Sequence, residues 1–226
     1  MKILNNRIYI TEKKRYMDMS KSFYKTEQEK FWAGGFGDEY IVRNQSAEIL
    51  ASNLALFVRC LYRINKISSI IEFGSNIGMN LMALKLLLPN IELSAIEINK
   101  KAVDELSSVI PRENIFNESI LDFQPKTTYD LVLIKGVLIH INPESLPFVY
   151  DKLFESSKRY VLLCEYYNPS PVSIPYRGHA DRLFKRDFAG ELMSKYPILQ
   201  LVDYGFVYHG DSLFPQDDIT WFLLEK

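Results

Sequence analysis

Ile70-Ile71-Glu72-Phe73-Gly74-Ser75-Asn76-Ile77-Gly78, running on into the helical pattern of residues 79–88, is the stretch on which the fold is decided. A short apolar run that ends in a glycine-spaced turn and opens directly into a helix is how an α/β fold presents backbone N–H groups to a nucleotide-like ligand. Three features narrow that ligand. Glu72 leads the turn, Asn76 stands where a dinucleotide fingerprint needs its second glycine, and a second acid, Glu97, closes the next apolar run, residues 91–98. A pyrophosphate needs close backbone approach at that glycine and is repelled by a carboxylate. The turn therefore suits an adenosyl group that carries no phosphate, and S-adenosylmethionine is such a ligand.

Outward from this stretch, strand and helix patterns alternate. Apolar residues at Ile49, Leu50, Leu54, Phe57, Val58 and Leu61 follow helical spacing, so 46–62 reads as an amphipathic helix ahead of a first strand at 69–73. A helix at 78–88 is stopped by Pro89, and a strand follows at 91–97. Next come a helix at 100–108, strands at 115–117 and 129–134, a helix at 143–156 and a buried strand at 160–166. This order predicts an α/β fold with a doubly wound, mostly parallel sheet. After Tyr166 the pattern breaks into a long proline-rich connection, residues 167–186, and loops of that length are often functional. A helix at 187–196 follows, and two strand-like pieces, 199–208 and 219–225, suit a terminal antiparallel hairpin. Residues 1–30 read as an extension of uncertain structure, with Arg7-Ile8-Tyr9-Ile10 as an edge strand or an arm. In 31–44, aromatic residues and three glycines precede a helix, which reads either as a hydrophobic staple packing a loop on the domain or as a ligand lid.

The chain has 226 residues, 47% of them hydrophobic, enough for one large core. With 27 basic against 28 acidic residues, no global field recruits nucleic acid or an anionic membrane surface. Cys60 and Cys164 lack the spacing of a zinc or redox pair and read as core thiols of a cytoplasmic protein, with no metal expected. No apolar run reaches the roughly 18 residues that would span a bilayer. The expected partner is a small molecule, and the oligomeric state is left open.

Element order and motifs together resemble the class I S-adenosylmethionine-dependent methyltransferases over roughly residues 31–226. The likeness implies a Rossmann-like, seven-stranded sheet ending in an antiparallel hairpin. More narrowly, Phe31-Trp32 through Arg43-Asn44, Glu72 through Gly78, Lys135-Gly136-Val137-Leu138-Ile139-His140-Ile141 and Glu165-Tyr166-Tyr167-Asn168-Pro169 are similar to the pseudaminic acid biosynthesis-associated methylases. Those bacterial proteins are associated with making nine-carbon sialic-acid-like sugars for surface glycans. The resemblance implies that Glu72, Gly74, Asn76 and Gly78 line the methionine end of the cofactor and that Glu97, with Ile98 beside it, accepts both ribose hydroxyls. Ser119, beside Ile120, matches the position where an acid often meets the adenine amino group, with Asp122 as the alternative. Lys135 and Gly136 would flank the cofactor, and Tyr40 and Arg43 resemble a lid pair that touches the methionine part.

The implied reaction is methyl transfer to nitrogen or oxygen of a sugar, a nonulosonic acid or a precursor, releasing S-adenosylhomocysteine. If the acceptor must lose a proton, His140, Glu165, Tyr166 and His179 are the candidate bases. Tyr167, Asn168, Tyr176, Arg177, Arg182 and Arg186, in the long connection, are candidate acceptor contacts. The arginines offer fork-like donors to a carboxylate or phosphate, and Arg182 and Arg186 share one helical face if the next helix starts early. Two readings compete with this one. An NAD-linked oxidoreductase shares the sheet but is disfavoured by Asn76 and the terminal hairpin, and a non-catalytic adenosyl-binding regulator of a biosynthetic complex shares the whole cofactor site.

Overall fold

A computed structural model describes residues 24–226. The piece Arg7-Ile8-Tyr9-Ile10 and most of the 1–30 extension lie outside the described residues. In chain order the elements are helices α1 (Glu27–Ala33), α2 (Gly35–Arg43) and α3 (Ala47–Leu61), strand β1 (Ser69–Phe73), α4 (Met79–Leu87), β2 (Glu92–Ile96), α5 (Lys100–Leu106), β3 (Ile115–Phe116) and β4 (Tyr129–Lys135). Then follow α6 (Leu146–Ser156), β5 (Ser157–Glu165), β6 (Val172–Tyr176), β7 (His179–Lys185), α7 (Phe188–Lys195), β8 (Gln200–Val207) and β9 (Ile219–Glu225).

Seven strands form one sheet in the order β3-β2-β1-β4-β5-β9-β8. The first five are parallel, and β9 runs antiparallel to both β5 and β8. Strands buried on both faces read as continuous apolar runs, which is why β1, β4 and β5 stand out in the sequence. Alternate side chains serve opposite layers. Ile70, Leu131, Leu133 and Leu162 pack with Leu56 and Phe57 of α3, Leu81 and Leu84 of α4 and Leu106 of α5. Ile71, Phe73, Val132, Ile134 and Leu163 pack with Val149 and Leu153 of α6 and Leu192 of α7. Cys60 and Cys164 are free thiols fully buried in the first layer.

Three sequence expectations are corrected. The glycine-rich segment 31–44 is a pair of short helices rather than a loop. Thr26 and Glu29 close a capping box at the start of α1, while Gly34, with extended backbone, parts the helices where a Cβ would stand 2.9 Å from the Lys30 carbonyl. The connection 167–186 contains an antiparallel hairpin, β6 with β7. Its turn, Arg177-Gly178, has positive φ at both residues (49° and 84°), the backbone hand that matches strand twist in a two-residue turn. Pro169, Pro171 and Pro175 and the mostly exposed faces of β6 hid it from apolar periodicity. Arg182 therefore lies on a strand, and Arg186 precedes α7, whose N-cap is Asp187, so the two share no helical face.

Candidate functional site

Strand order reverses between β1 and β4, and open α/β sheets bind ligands in the crevice outside the carboxyl ends of strands at such a point. A cavity of about 210 Å³ occupies that position. Its wall at the strand ends is built from Gly74 to Ile77 after β1, Glu97 and Ile98 after β2, Ser119 and Ile120 after β3, and Lys135 to Val137 at β4. Trp32, Gly37 and Tyr40 of the α1–α2 pair close it from the opposite side, with His140 beside them. Of the sequence-named cofactor residues, Tyr40, Gly74, Asn76, Glu97, Ile98, Ser119, Ile120, Lys135 and Gly136 lie on this wall.

Glu72, Gly78 and Arg43 do not. Glu72 is fully buried one layer behind, where Oε1 accepts a 2.6 Å bond from Asn80 Nδ2, and Asn80 lines the cavity. Gly78 makes the left-handed entry to α4 and packs on Leu106. Arg43 is exposed, its guanidinium over the rings of Phe36 and Tyr40, so it is not placed to pair a carboxylate in the cavity.

The glycine turn does not offer a cradle of free amides. Gly74 N–H and Ser75 N–H both donate to the Ile96 carbonyl, at 2.9 and 3.1 Å, Gly78 N–H donates to the Ser75 carbonyl, and Asn76 N–H donates to Glu97 Oε2 at 2.7 Å. These donors are internal, so a pyrophosphate would find few of them. Asn76 itself takes the left-handed conformation (φ 47°) that the turn requires. Glu97 Oε1 accepts Asn99 N–H at 2.7 Å, and Asn99 Nδ2 reaches Asp38 of α2 and the Trp32 carbonyl, which ties the Glu97 site to the helix pair above it. Gly136 has φ 66°, and a Cβ there would meet nothing, so the backbone faces open cavity.

Burial dominates the electrostatics. It pushes the Glu72 carboxyl up to about 7, opposed by Asn80 and Lys135 and reinforced by Glu97, and it raises Glu97 against its amide donors. It also pushes the Tyr40 hydroxyl up to about 12. Three buried polar atoms at or beside the cavity have no partner: Glu72 Oε2, Asn80 Oδ1 and Trp32 Nε1. A buried polar atom without a partner costs about 1–3 kcal/mol, and of these three Asn80 Oδ1 and Trp32 Nε1 belong to residues on the cavity wall.

The four candidate bases separate cleanly. His140 lines the cavity, and its Nδ1 lies 2.5 Å from the Arg182 carbonyl. A carbonyl only accepts, so Nδ1 carries the proton and Nε2 is the acceptor of a neutral ring. Burial pushes this histidine down to about 4. The Glu165 carboxylate accepts the N–H groups of Val137 and Leu138, both at 3.0 Å, and of Ile139, which positions the turn that carries His140. Tyr166 packs between the two core layers with Lys185 over its ring, and burial raises its hydroxyl. His179 is exposed, its ring 5.1 Å from that of Phe31.

None of the six candidate acceptor residues lines the cavity. Arg186 pairs with Glu191 at 2.8 Å, Arg182 lies over Phe31 with its Nε buried, and Arg177 is exposed at the hairpin tip. Tyr167 is exposed near Phe222, and Asn168 bonds the Ser170 carbonyl. Tyr176 comes closest, 4.9 Å from His140 ring to ring. A fixed anion clamp is not assembled, because Arg177 lies in the hairpin turn, Arg182 on β7 and Arg186 beyond it, each with different surroundings. Asp122, the alternative for the adenine, pairs with Lys25 at the surface. The sequence reading missed Glu29, Trp32, Asn80 and Asn99, all on the wall. The capping-box spelling from Thr26 to Glu29 was the available signal for the first two.

No protein-family model matches this chain, and no curated protein does. Solved structures are similar over nearly all of it. Those of 1,6-didemethyltoxoflavin-N1-methyltransferase from Burkholderia thailandensis, with 1,6-didemethyltoxoflavin and S-adenosylhomocysteine bound, match at TM-score 0.64 and 13% identity, covering 88% of this chain and 86% of that one. Magnesium protoporphyrin IX methyltransferase from Synechocystis PCC 6803, with S-adenosylmethionine bound, matches at 0.60 and 11%, covering 91% and 100%. The N-methyltransferase NodS from Bradyrhizobium japonicum WM9 matches at 0.58 and 13%, covering 84% and 98%. At these identities the likeness shows the fold, the Rossmann-like α/β fold of the class I methyltransferases.

Proposed function

We propose that this chain transfers a methyl group from S-adenosylmethionine to a small molecule in the cytoplasm, releasing S-adenosylhomocysteine. The observation that carries this reading is the unpartnered acceptor Asn80 Oδ1 on the wall of a cavity whose turn amides are already bonded, with the Glu72 carboxyl buried behind it. Such a site favours a ligand that brings N–H donors and positive charge, and disfavours a pyrophosphate. An amino-acid ammonium and a sulfonium meet that description. The neighbours crystallised with S-adenosylmethionine or S-adenosylhomocysteine share the fold that forms the crevice. Two free buried thiols fit a reducing compartment.

When bound, S-adenosylmethionine supplies an electrophilic methyl group on sulfur. Glu97 accepts Asn76 N–H on Oε2 and Asn99 N–H on Oε1, and its remaining acceptor capacity would serve the ribose hydroxyls. Gly136 and Lys135 give the cofactor close backbone approach, and Trp32, Tyr40 and Gly37 cover the cavity and exclude water. His140 Nε2 takes the proton from the acceptor hydroxyl or ammonium, its ring held by the Arg182 carbonyl on one side and by the Trp32 and Tyr176 rings. Glu165 acts through the 138–140 turn and touches no reactant.

A sugar or nonulosonic acid, or its precursor, is the acceptor class to test first. The sequence resemblance supports it, and the Trp32 and Tyr40 rings on the cavity wall suit the C–H face of a sugar ring. Titration calorimetry with S-adenosylmethionine, S-adenosylhomocysteine and NAD is the first test. The two adenosyl ligands should bind and NAD should not, and the opposite order would replace the methyltransferase reading with an oxidoreductase. Release of S-adenosylhomocysteine on adding pseudaminic acid, its nucleotide-linked form or a neutral amino-sugar precursor then separates an enzyme from a regulator and identifies the acceptor.

A further inference from the structure

Among the described residues, three acids line the cavity: Glu29, Glu97 and Glu118. Glu97 is engaged with the turn, and Glu118 is half-exposed. Glu29 differs from both. It is carried by α1 rather than by a strand end, and it is 7% exposed although it sits in the first turn of a short helix. Capping explains only half of its carboxyl group. Oε2 accepts the Thr26 N–H at 2.7 Å and the Thr26 hydroxyl at 3.2 Å, and Oε1 accepts the Ser119 hydroxyl. The direction of that last bond follows from Ser119 Oγ, which accepts the Leu121 N–H at 3.0 Å and so donates its own proton to Glu29. A carboxyl group has about four acceptor positions, so one remains, on Oε1. Ser119 itself is 7% exposed and bounds the cavity between Glu118 and the apolar side chain of Ile120, with Ile98 on the wall as well.

We infer that Glu29 reads the exocyclic amino group of the adenine, so that the N-terminal helix supplies part of the base site, a role that rests on the S-adenosylmethionine reading above. Ile98 and Ile120 provide apolar surface for the purine, and the free position on Oε1 accepts one N–H of the 6-amino group. A 6-oxo purine places an acceptor against an acceptor at the same point and is rejected. Ser119 is then a positioning residue: it holds the carboxyl in place and contributes no contact to the base.

The test compares S-adenosylhomocysteine with S-inosylhomocysteine, its 6-oxo analogue, by titration calorimetry on the full chain. The wild type should prefer the adenosyl ligand by about tenfold or more, the size of a hydrogen bond to a charged group. Glu29→Gln keeps the capping box, since glutamine also closes it, and α1 should stay formed by circular dichroism. In that variant the preference should collapse or reverse, because the amide can donate to the 6-oxo group. Ser119→Ala releases the carboxyl that Ser119 holds, so it should narrow the preference part of the way while leaving S-inosylhomocysteine affinity within about twofold. If Glu29 only docks the helix through Ser119, the two variants will behave alike, with the ratio unmoved in both, and the inference is overturned. Tight S-adenosylhomocysteine binding with an unmoved ratio removes only this inference, whereas a wild type that binds neither ligand removes the methyltransferase reading with it.

Discussion

His140 shows what a single residue's surroundings decide. An isolated imidazole titrates near 6.5, yet burial pushes this one down to about 4 while the Arg182 carbonyl holds its tautomer. The unprotonated ring is therefore available across the whole neutral range. If it takes the acceptor's proton, the acid limb of the pH–rate profile should fall near pH 4 to 5 rather than 6.5, at saturating cofactor and acceptor. His140→Gln should lower turnover by about 10²–10⁴-fold while S-adenosylhomocysteine affinity stays within about twofold. A profile with its limb at 6.5, or a variant at full turnover, would move the proton acceptor elsewhere. Glu165 makes the contrast plain: it too is buried and pushed up to about 7, but its oxygens face three backbone amides and none of the cavity.

At the scale of elements, the α1–α2 pair is tied to the domain mostly by side-chain hydrogen bonds and aromatic contacts, with Ile41 buried against Ile77 and Ala102. Asp38 bonds Asn99 at 3.0 Å and pairs with Lys101 at 2.5 Å, Gln28 Nε2 donates to the Asp181 carbonyl of β7 at 3.0 Å, and the Phe31 ring stacks on Phe36. Gly37 sits at the crossing: a Cβ there would overlap the Trp32 carbonyl and stand 2.8 Å from Asn99 Nδ2. Gly37→Ala should therefore push the two helices apart and weaken S-adenosylhomocysteine binding by about 1–3 kcal/mol, with the sheet intact by circular dichroism. Hydrogen exchange across residues 27–43 should slow when cofactor is added to the wild type and respond less in the variant. Equal exchange with and without cofactor would reduce the pair to packing. The β6–β7 hairpin abuts the same helices, with Arg182 over Phe31 and His179 against it, so it backs the helix pair rather than forming a separate anion clamp.

For the whole molecule, buried ionisable groups make stability depend on pH in opposite senses. Glu72 and Glu165 have folded values raised to about 7 from 4.5. Between those values the unfolded chain loses protons that the folded chain keeps, so stability falls as pH rises through that window. His140 acts the other way: lowered to about 4 from 6.5, it costs stability as pH falls from 6.5 toward 4. Glu72→Gln removes one acid's contribution and retains the Asn80 contact. In urea unfolding without ligand it should gain on the order of 3 kcal/mol over the wild type at pH 8, and almost nothing at pH 4, where the wild-type group is protonated in both states. An equal gain at both pH values would mean that packing, not ionisation, sets the difference. Saturating S-adenosylmethionine should stabilise the wild type more than the variant at pH 8, because the ligand's positive charge offsets the buried carboxylate.

The sequence by itself determined the sheet, its parallel body and terminal hairpin, and the pair of acids at adjacent strand ends. Those features are local: a strand buried on both faces must be continuously apolar, and the glycines and Pro89 that end each element sit beside it in the chain. The tertiary structure decided which groups share the cavity. Glu29 meets Ser119 across 90 positions, and Arg182 sets the tautomer of His140 across 42, neither spacing carrying any periodicity. The apolar and glycine pattern reports where the backbone turns, but not that the turn's amides close on Ile96 and Glu97. Nor does it show that the glycines between Trp32 and Tyr40 allow helices to cross closely instead of forming a loop. A hydrogen-bonding side chain records that it needs a partner, and only the packing of distant elements decides which partner it meets.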